Sequence, residues 1–167
     1  MSNNIRSKIE IREPQEKDLE ELNRLSKAQW DYHYDLDSIY YLPGPGGRVI
    51  DFGKEYMGKT DLFPLIAVTD DKPIGFIIFM KGEEKHGDTK IQEFIEVYEL
   101  HVSEDYRGHG VGERLMKSAE ERAKEMGYEW VKLYCSSYNK GALGFYEEIG
   151  YIERQRLLFK RLNSSTN

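Results

Sequence analysis

The chain has 167 residues, a length that suits a single domain spanning residues 1–167, because single domains commonly run ~100 to 200 residues. Hydrophobic residues make up 39% and charged residues 32%, with both signs represented, which excludes a low-hydrophobicity disordered chain. The net charge of −6 argues against broad binding to a nucleic-acid backbone, and no apolar run reaches the ~20 residues of a membrane-spanning helix.

The first residues, MSNNIRSKIEIRE, lack the apolar stretch and small-residue cleavage site of a secretory signal, so a cytoplasmic protein is expected. Residues 8–12 alternate as a short strand would. Pro14 interrupts them before a helical pattern carrying Leu19, Leu22, Leu25 and Ala28 on one side. From Trp30 to Asp61 no clear period survives. Pro43-Gly44-Pro45-Gly46-Gly47 is strong loop punctuation, with room for short helical pieces around it.

Two apolar runs follow, Phe63 to Thr69 and Ile74 to Met80, joined by Asp70-Asp71-Lys72-Pro73 as a hairpin. After a polar tip comes a strand over 91–102, then the glycine-rich stretch Gly108-His109-Gly110-Val111-Gly112. The next helix has Val111, Leu115, Ala119 and Ala123 at four-residue spacing, widened by Met116 and Met126. Glu113 with Lys117 and Glu120 with Lys124 are i, i+4 pairs, and Gly127 is a terminator. A strand over 130–135, a short helix over 140–148 and a last strand over 151–162 complete the chain.

One cysteine, Cys135, allows no internal disulfide. Neither it nor His33, His86, His101 and His109 has a metal-ligand spacing, so no metal is expected. Asn163-Ser164-Ser165 matches a glycosylation acceptor but reads more simply as a polar tail.

A strand, a glycine-rich turn and a helix in succession form an anion site, because unpaired backbone N–H groups face outward where the helix dipole is positive. A phosphate-binding NTPase loop would need Lys-Ser or Lys-Thr after the last glycine, whereas Gly112 is followed by Glu113-Arg114. A dinucleotide fingerprint would need Gly-x-Gly-x-x-Gly, whereas these glycines fall at 108, 110 and 112.

Arg107-Gly108-His109-Gly110-Val111-Gly112 resembles the Arg/Gln-x-x-Gly-x-Gly/Ala signature of the GNAT superfamily of N-acetyltransferases. Upstream, Leu100-His101-Val102 is similar to the family's Leu-x-Val strand end. Downstream, the segment from Asn139 to Tyr151 is similar to its Asn-x-x-Ala-x-x-Phe/Leu-Tyr-x-x-x-Gly-Phe/Tyr segment. The resemblance covers residues 94–151 by motif and the remainder by element order. It implies an α/β (α+β) fold with a mixed, mostly antiparallel sheet, splayed into a V between the strands at 91–102 and 130–135 and flanked by helices.

The resemblance further implies an acetyl-coenzyme A-dependent N-acetyltransferase acting by direct transfer in a ternary complex. The implied coenzyme contacts are Leu100, His101 and Val102 along the pantetheine arm, Arg107, Gly108, His109, Gly110, Val111 and Gly112 at the pyrophosphate, and Asn139. Tyr146 matches the general acid, close to the thioester sulfur. Asn139 can serve as a helix N-cap at the same time.

For the base, Glu96 matches the position of the catalytic glutamate in histone-modifying relatives, and Glu99 lies nearer the expected bulge. Simple alternation puts Glu96, Tyr98 and Leu100 on one face and Val97, Glu99 and His101 on the other. A bulge would change which face Glu99 sees.

Between Trp30 and Asp61 there are six Asp/Glu against three Lys/Arg, interleaved with aromatic rings. In the family this segment commonly helps form the acceptor side, so Trp30, Tyr32, Tyr34 and Asp35, with Glu96 and Tyr98, are candidate contacts for a cationic amine, whether a small molecule or a peptide. An aromatic minicore under a long loop is the other reading. A noncatalytic coenzyme-binding module is the alternative function, another acyl donor is also compatible, and a homodimer is left open.

Overall fold

The computed structural model describes residues 8–44, 51–85 and 87–162. The readings that fall on the first residues, on Pro45 to Gly47, on His86 and on Asn163-Ser164-Ser165 lie outside them. The elements are β1 (Glu10–Arg12), a 3-10 turn, α1 (Leu19–Leu36), a short α2 (Phe52–Tyr56), β2 (Leu62–Thr69), β3 (Lys72–Glu83), β4 (Glu93–Val102), a second 3-10 turn, α3 (Val111–Glu125), β5 (Val131–Leu133) and α4 (Lys140–Glu148). The five strands form one sheet in sequence order. Every neighbour is antiparallel except β4 and β5, which run parallel and are joined by α3.

Alternation along the strands supplies two buried faces. On one, Ile77, Phe79, Ile95 and Val97 pack against the α3 stripe of Val111, Leu115, Met116, Ala119 and Ala123. On the other, Ile66, Val68, Phe76 and Ile78 pack against Leu22 and Leu25 of α1 and Phe52 and Tyr56 of α2. Arg12 donates to both carboxylate oxygens of the buried Asp18, at 2.7 and 2.9 Å, fixing the entry from β1 into α1.

Several expectations are corrected. The helix that begins near Leu19 continues through Trp30 to Leu36, so the aromatic and acidic residues there lie on its last turns, not in a loop. A Lys27–Asp31 ion pair at 2.6 Å supports this stretch, and the Asp37 carboxylate accepts the N–H of Ile39 and of Tyr40 just past its end. The hairpin turn is Asp70-Asp71 alone, both with positive φ as a two-residue turn demands, while Lys72 and Pro73 already belong to β3. Along α3, Lys117 pairs with Glu121, and Glu120 accepts the Tyr151 hydroxyl.

The expected last strand is absent. Residues 152–162 have no strand pairing and are exposed, including Ile152, Leu157, Leu158, Phe159 and Leu162. Leu157-Leu158-Phe159 are consecutive, so the segment offers no single apolar face to lay against the three-residue β5.

Candidate active site

Strands β4 and β5 pair only at Ile95 with Val131, Glu96 with Lys132 and Val97 with Leu133, and then diverge. The divergence coincides with a bulge in β4: Ile78 of β3 faces Glu99 while the adjacent Phe79 faces Val97, leaving Tyr98 as the extra residue, 57% exposed. The bulge reverses the alternation. Val97 before it packs on the α3 face, and so do Leu100 and Val102 after it. Glu99 and His101 therefore join Glu96 on the α1–α2 face, the change of face that a bulge near Glu99 was expected to bring to the simple alternation.

Glu99 is mostly buried there. The Tyr56 hydroxyl donates to its Oε1 at 2.7 Å, and Oε2 is buried with no hydrogen-bond partner among the described residues. Burial pushes the carboxyl up to about 7, with Glu55 adding to the rise and the Tyr56 bond opposing it. A carboxylate that exchanges its proton near neutral pH suits a general base. Glu96 is only half-buried and sits opposite Lys132, whose ammonium lies over the rings of Phe94 at 4.6 Å and Tyr134 at 5.0 Å.

His101 is a core residue. It is 6% exposed and packs on Phe76 at 5.9 Å, and burial lowers its imidazole to about 4, so it is neutral at pH 7.

The glycine stretch forms the start of α3. Gly108 and Gly110 have φ of +72° and +77°, the left-handed region that L side chains seldom adopt. Gly110 is the N-cap and brings no side chain to the first amides of the helix, leaving them for an outside acceptor. Gly112 gives clearance to α4: a Cβ there would lie 3.3 Å from Phe145 Cζ.

Arg107 Nε donates to the Val102 carbonyl at 3.1 Å, and the His109 ring Nδ1 lies 2.9 Å from the Arg107 carbonyl oxygen. These contacts fold the loop back on the strand end.

Tyr32, a candidate for the acceptor side, reaches the loop. Its ring lies under the Arg107 guanidinium at 5.1 Å, and its hydroxyl donates to Asn139 Oδ1 at 3.1 Å. The same Asn139 oxygen accepts the Ala142 N–H at the start of α4, also at 3.1 Å, which is the N-cap role expected of it. Tyr32 thus ties α1 to the glycine loop and to α4.

Tyr146 lies on α4, half-buried between Phe145 and Tyr151 at ring distances of 5.2 and 5.8 Å. Burial, and to a lesser extent Cys135, holds its phenol above the ordinary range, so it is protonated at neutral pH and available as a donor.

Among the other acceptor candidates, Trp30 and Tyr34 are half-buried on α1 and Asp35 is exposed. Three of the acidic residues between 30 and 61 are engaged locally: Asp31 with Lys27, Asp37 at the end of α1, and Asp51 as the α2 N-cap, accepting the Lys54 N–H at 3.0 Å. Phe52 and Tyr56 form an aromatic minicore with Phe76, so the minicore reading holds for that part. Tyr56 was not among the sequence candidates. The only trace of it is the aromatic i, i+4 spacing with Phe52.

The described residues contain no group of three His, Cys, Asp or Glu side chains able to hold a metal, and no helix long and apolar enough to cross a membrane.

Comparison with known proteins gives the family and the fold. An uncharacterized N-acetyltransferase of Methanocaldococcus jannaschii is 30% identical over 124 residues, covering 72% of this chain and 51% of the relative. An N-alpha-acetyltransferase of Arabidopsis thaliana is 32% identical over 98 residues, covering 59% and 49%. The chain spans about half the length of these curated relatives.

Among solved structures, a mutant of the BH1408 protein from Bacillus halodurans shares the fold with a TM-score of 0.82 at 18% identity, covering 92% of this chain and 99% of that one. The aminoglycoside N-acetyltransferase AAC(6')-Iy, solved with a bisubstrate analogue, has a TM-score of 0.71 at 20% identity, covering 93% and 99%. The model of the acetyltransferase (GNAT) family matches residues 19–151, and the chain belongs to that family.

Proposed function

We propose that the protein transfers an acetyl group from acetyl-coenzyme A to a cationic amine, directly and within a ternary complex. The observation that carries the reading is the uncapped, glycine-built start of α3, which follows, after one 3-10 turn, a strand that bulges and parts from its neighbour. The residues present fit the coenzyme. The amides from Gly108 to Gly112 would hold its pyrophosphate, the main chain of Leu100 and Val102 its pantetheine arm, and Asn139 would lie alongside. When bound, the thioester supplies the activated acetyl group.

Glu99 takes the proton that the acceptor nitrogen must lose, at the oxygen left without a partner. Tyr146 gives its hydroxyl proton to the leaving sulfur. An ammonium acceptor loses two protons overall: one passes through Glu99 to water, and the other is returned through solvent to the Tyr146 oxygen, replacing the proton that Tyr146 gave to sulfur.

A cationic acceptor is supported by Glu96 and Glu99 on one face of β4, with the exposed rings of Tyr98 and Tyr134 nearby. Relatives described as aminoglycoside and N-alpha acetyltransferases are compatible with either a small-molecule or a peptide amine.

Acceptor profiling tests this reading. Purified protein is given acetyl-coenzyme A with spermidine, a lysine peptide, an aminoglycoside, a neutral amine and an anionic amino acid, and thiol release is followed. Preference for the polycationic acceptors is expected. Preference for the neutral or anionic ones overturns the acceptor class, and coenzyme binding without release on any amine leaves a noncatalytic module.

A further inference from the structure

We infer that Tyr56 is a positioning residue for the catalytic base: its hydroxyl fixes one oxygen of Glu99 and leaves the other without a partner, to take the proton. The inference rests on the role proposed for Glu99. It starts from an asymmetry within one carboxylate. Oε1 accepts the Tyr56 hydroxyl at 2.7 Å, while Oε2, which is buried, has no partner among the described residues. Buried polar atoms are ordinarily satisfied, so a side chain kept only for packing would have both oxygens bonded or would be replaced by an apolar one. A carboxylate anchored at one oxygen and unpartnered at the other has a defined direction in which to take a proton.

The anchor is rigid because it is built into a core. Tyr56 is 6% exposed and its ring meets Phe52 edge-on at 5.0 Å; Phe52 in turn meets Phe76 of β3 at 5.3 Å. The Phe52 N–H donates to Asn23 Oδ1 of α1 at 2.8 Å, and Asp51 caps the helix. Two rings and a cross-helix hydrogen bond thus locate the phenol oxygen. On the other side, the bulge at Tyr98 turns Glu99 toward it. Burial, followed by the charge of Glu99, holds the Tyr56 phenol above its ordinary range, so at working pH it is always the donor.

The ionisable groups that bear on the pair are Glu55 on the same short helix, which disfavours the carboxylate, and Tyr98 on the bulge, which acts on Tyr56. The facing residue of β3 is the apolar Ile78. His101 is neutral, and Arg107, His33 and Arg24 act on it. The Tyr56 bond is therefore the named interaction that favours the charged form of Glu99.

The test uses the full chain labelled at the glutamate side-chain carboxyl carbons. The Glu99 resonance is assigned by its loss in Glu99→Gln and titrated by NMR in wild type and in Tyr56→Phe, which keeps the ring and its packing. A midpoint near 7 in wild type is expected to rise by about one pH unit in Tyr56→Phe. The acidic limb of kcat/KM, measured by thiol release with the fastest amine of the acceptor panel, should rise with it while coenzyme A affinity stays unchanged. A midpoint that does not move, or moves down, overturns the inference about Tyr56. Full activity in Glu99→Gln instead overturns Glu99 as the base, and the inference with it, while leaving acetyl transfer itself standing.

Discussion

The glycine loop and the Glu99–Tyr56 pair lie beside the same strand and are built by opposite means. The loop is made from consecutive residues: the polar groups it leaves unpaired at the start of α3 are backbone amides, and its conformation depends on left-handed φ at Gly108 and Gly110. The pair joins residues 43 apart, and its chemistry comes from burial and from one hydrogen bond across two elements. A backbone anion site needs only local chain geometry. A tuned carboxylate needs the whole core around it.

Substitutions should separate the two accordingly. The largest effect is expected at the buried pair: Glu99→Gln should lower kcat/KM by roughly 10²- to 10⁴-fold, the usual range for a lost general base, without weakening coenzyme A binding measured by calorimetry. The same substitution should gain stability at high pH. Because the folded-state pKa of Glu99 lies near 7, above its ordinary 4.5, the folded chain binds that proton more tightly than the unfolded chain does. Wild-type stability then falls as pH rises from about 4.5 to 7, by up to ~3 kcal/mol. Denaturant melts at pH 4.5 and pH 8 should show that fall in wild type and lose it in Glu99→Gln; equal falls in both would count against a desolvated carboxylate.

A smaller kinetic effect is expected at the donor. Tyr146→Phe should reduce turnover by about 10²-fold, with coenzyme affinity retained, and unchanged turnover would remove Tyr146 from the acid role. At the loop the pattern should invert. Gly110→Val forces a β-branched residue into φ +77° and places bulk beside the amides, so coenzyme A affinity should drop by at least ~10-fold while stability falls by about 1 to 3 kcal/mol. Affinity equal to wild type would show that the loop does not hold the coenzyme.

The same division explains what could be read in advance. The α3 stripe from Val111 to Ala123 is buried as its spacing predicts, and α4 spans Lys140–Glu148 as expected, with Asn139 as its cap. Each is set by neighbours within one or two turns. The end of α1 was not legible, because its last turns alternate aromatic and acidic residues whose partners, Arg107 and Asn139 for Tyr32, are far along the chain. Residues 151–162 have the composition of a strand, but pairing depends on a neighbouring edge that composition does not encode. The bulge at Tyr98 left no mark in the alternating pattern, yet it decides which face Glu99 takes.

By itself, then, the sequence determined the order of the elements from β2 to the last helix, the α3 stripe and the glycine-built start of α3, all of which follow from helix period, φ preference and unpaired backbone amides. The tertiary structure decided which carboxylate is desolvated, which tyrosine holds it and where Tyr32 points. Those outcomes depend on burial and on distances between residues far apart in the chain, and they exist only once the two faces of the sheet are covered.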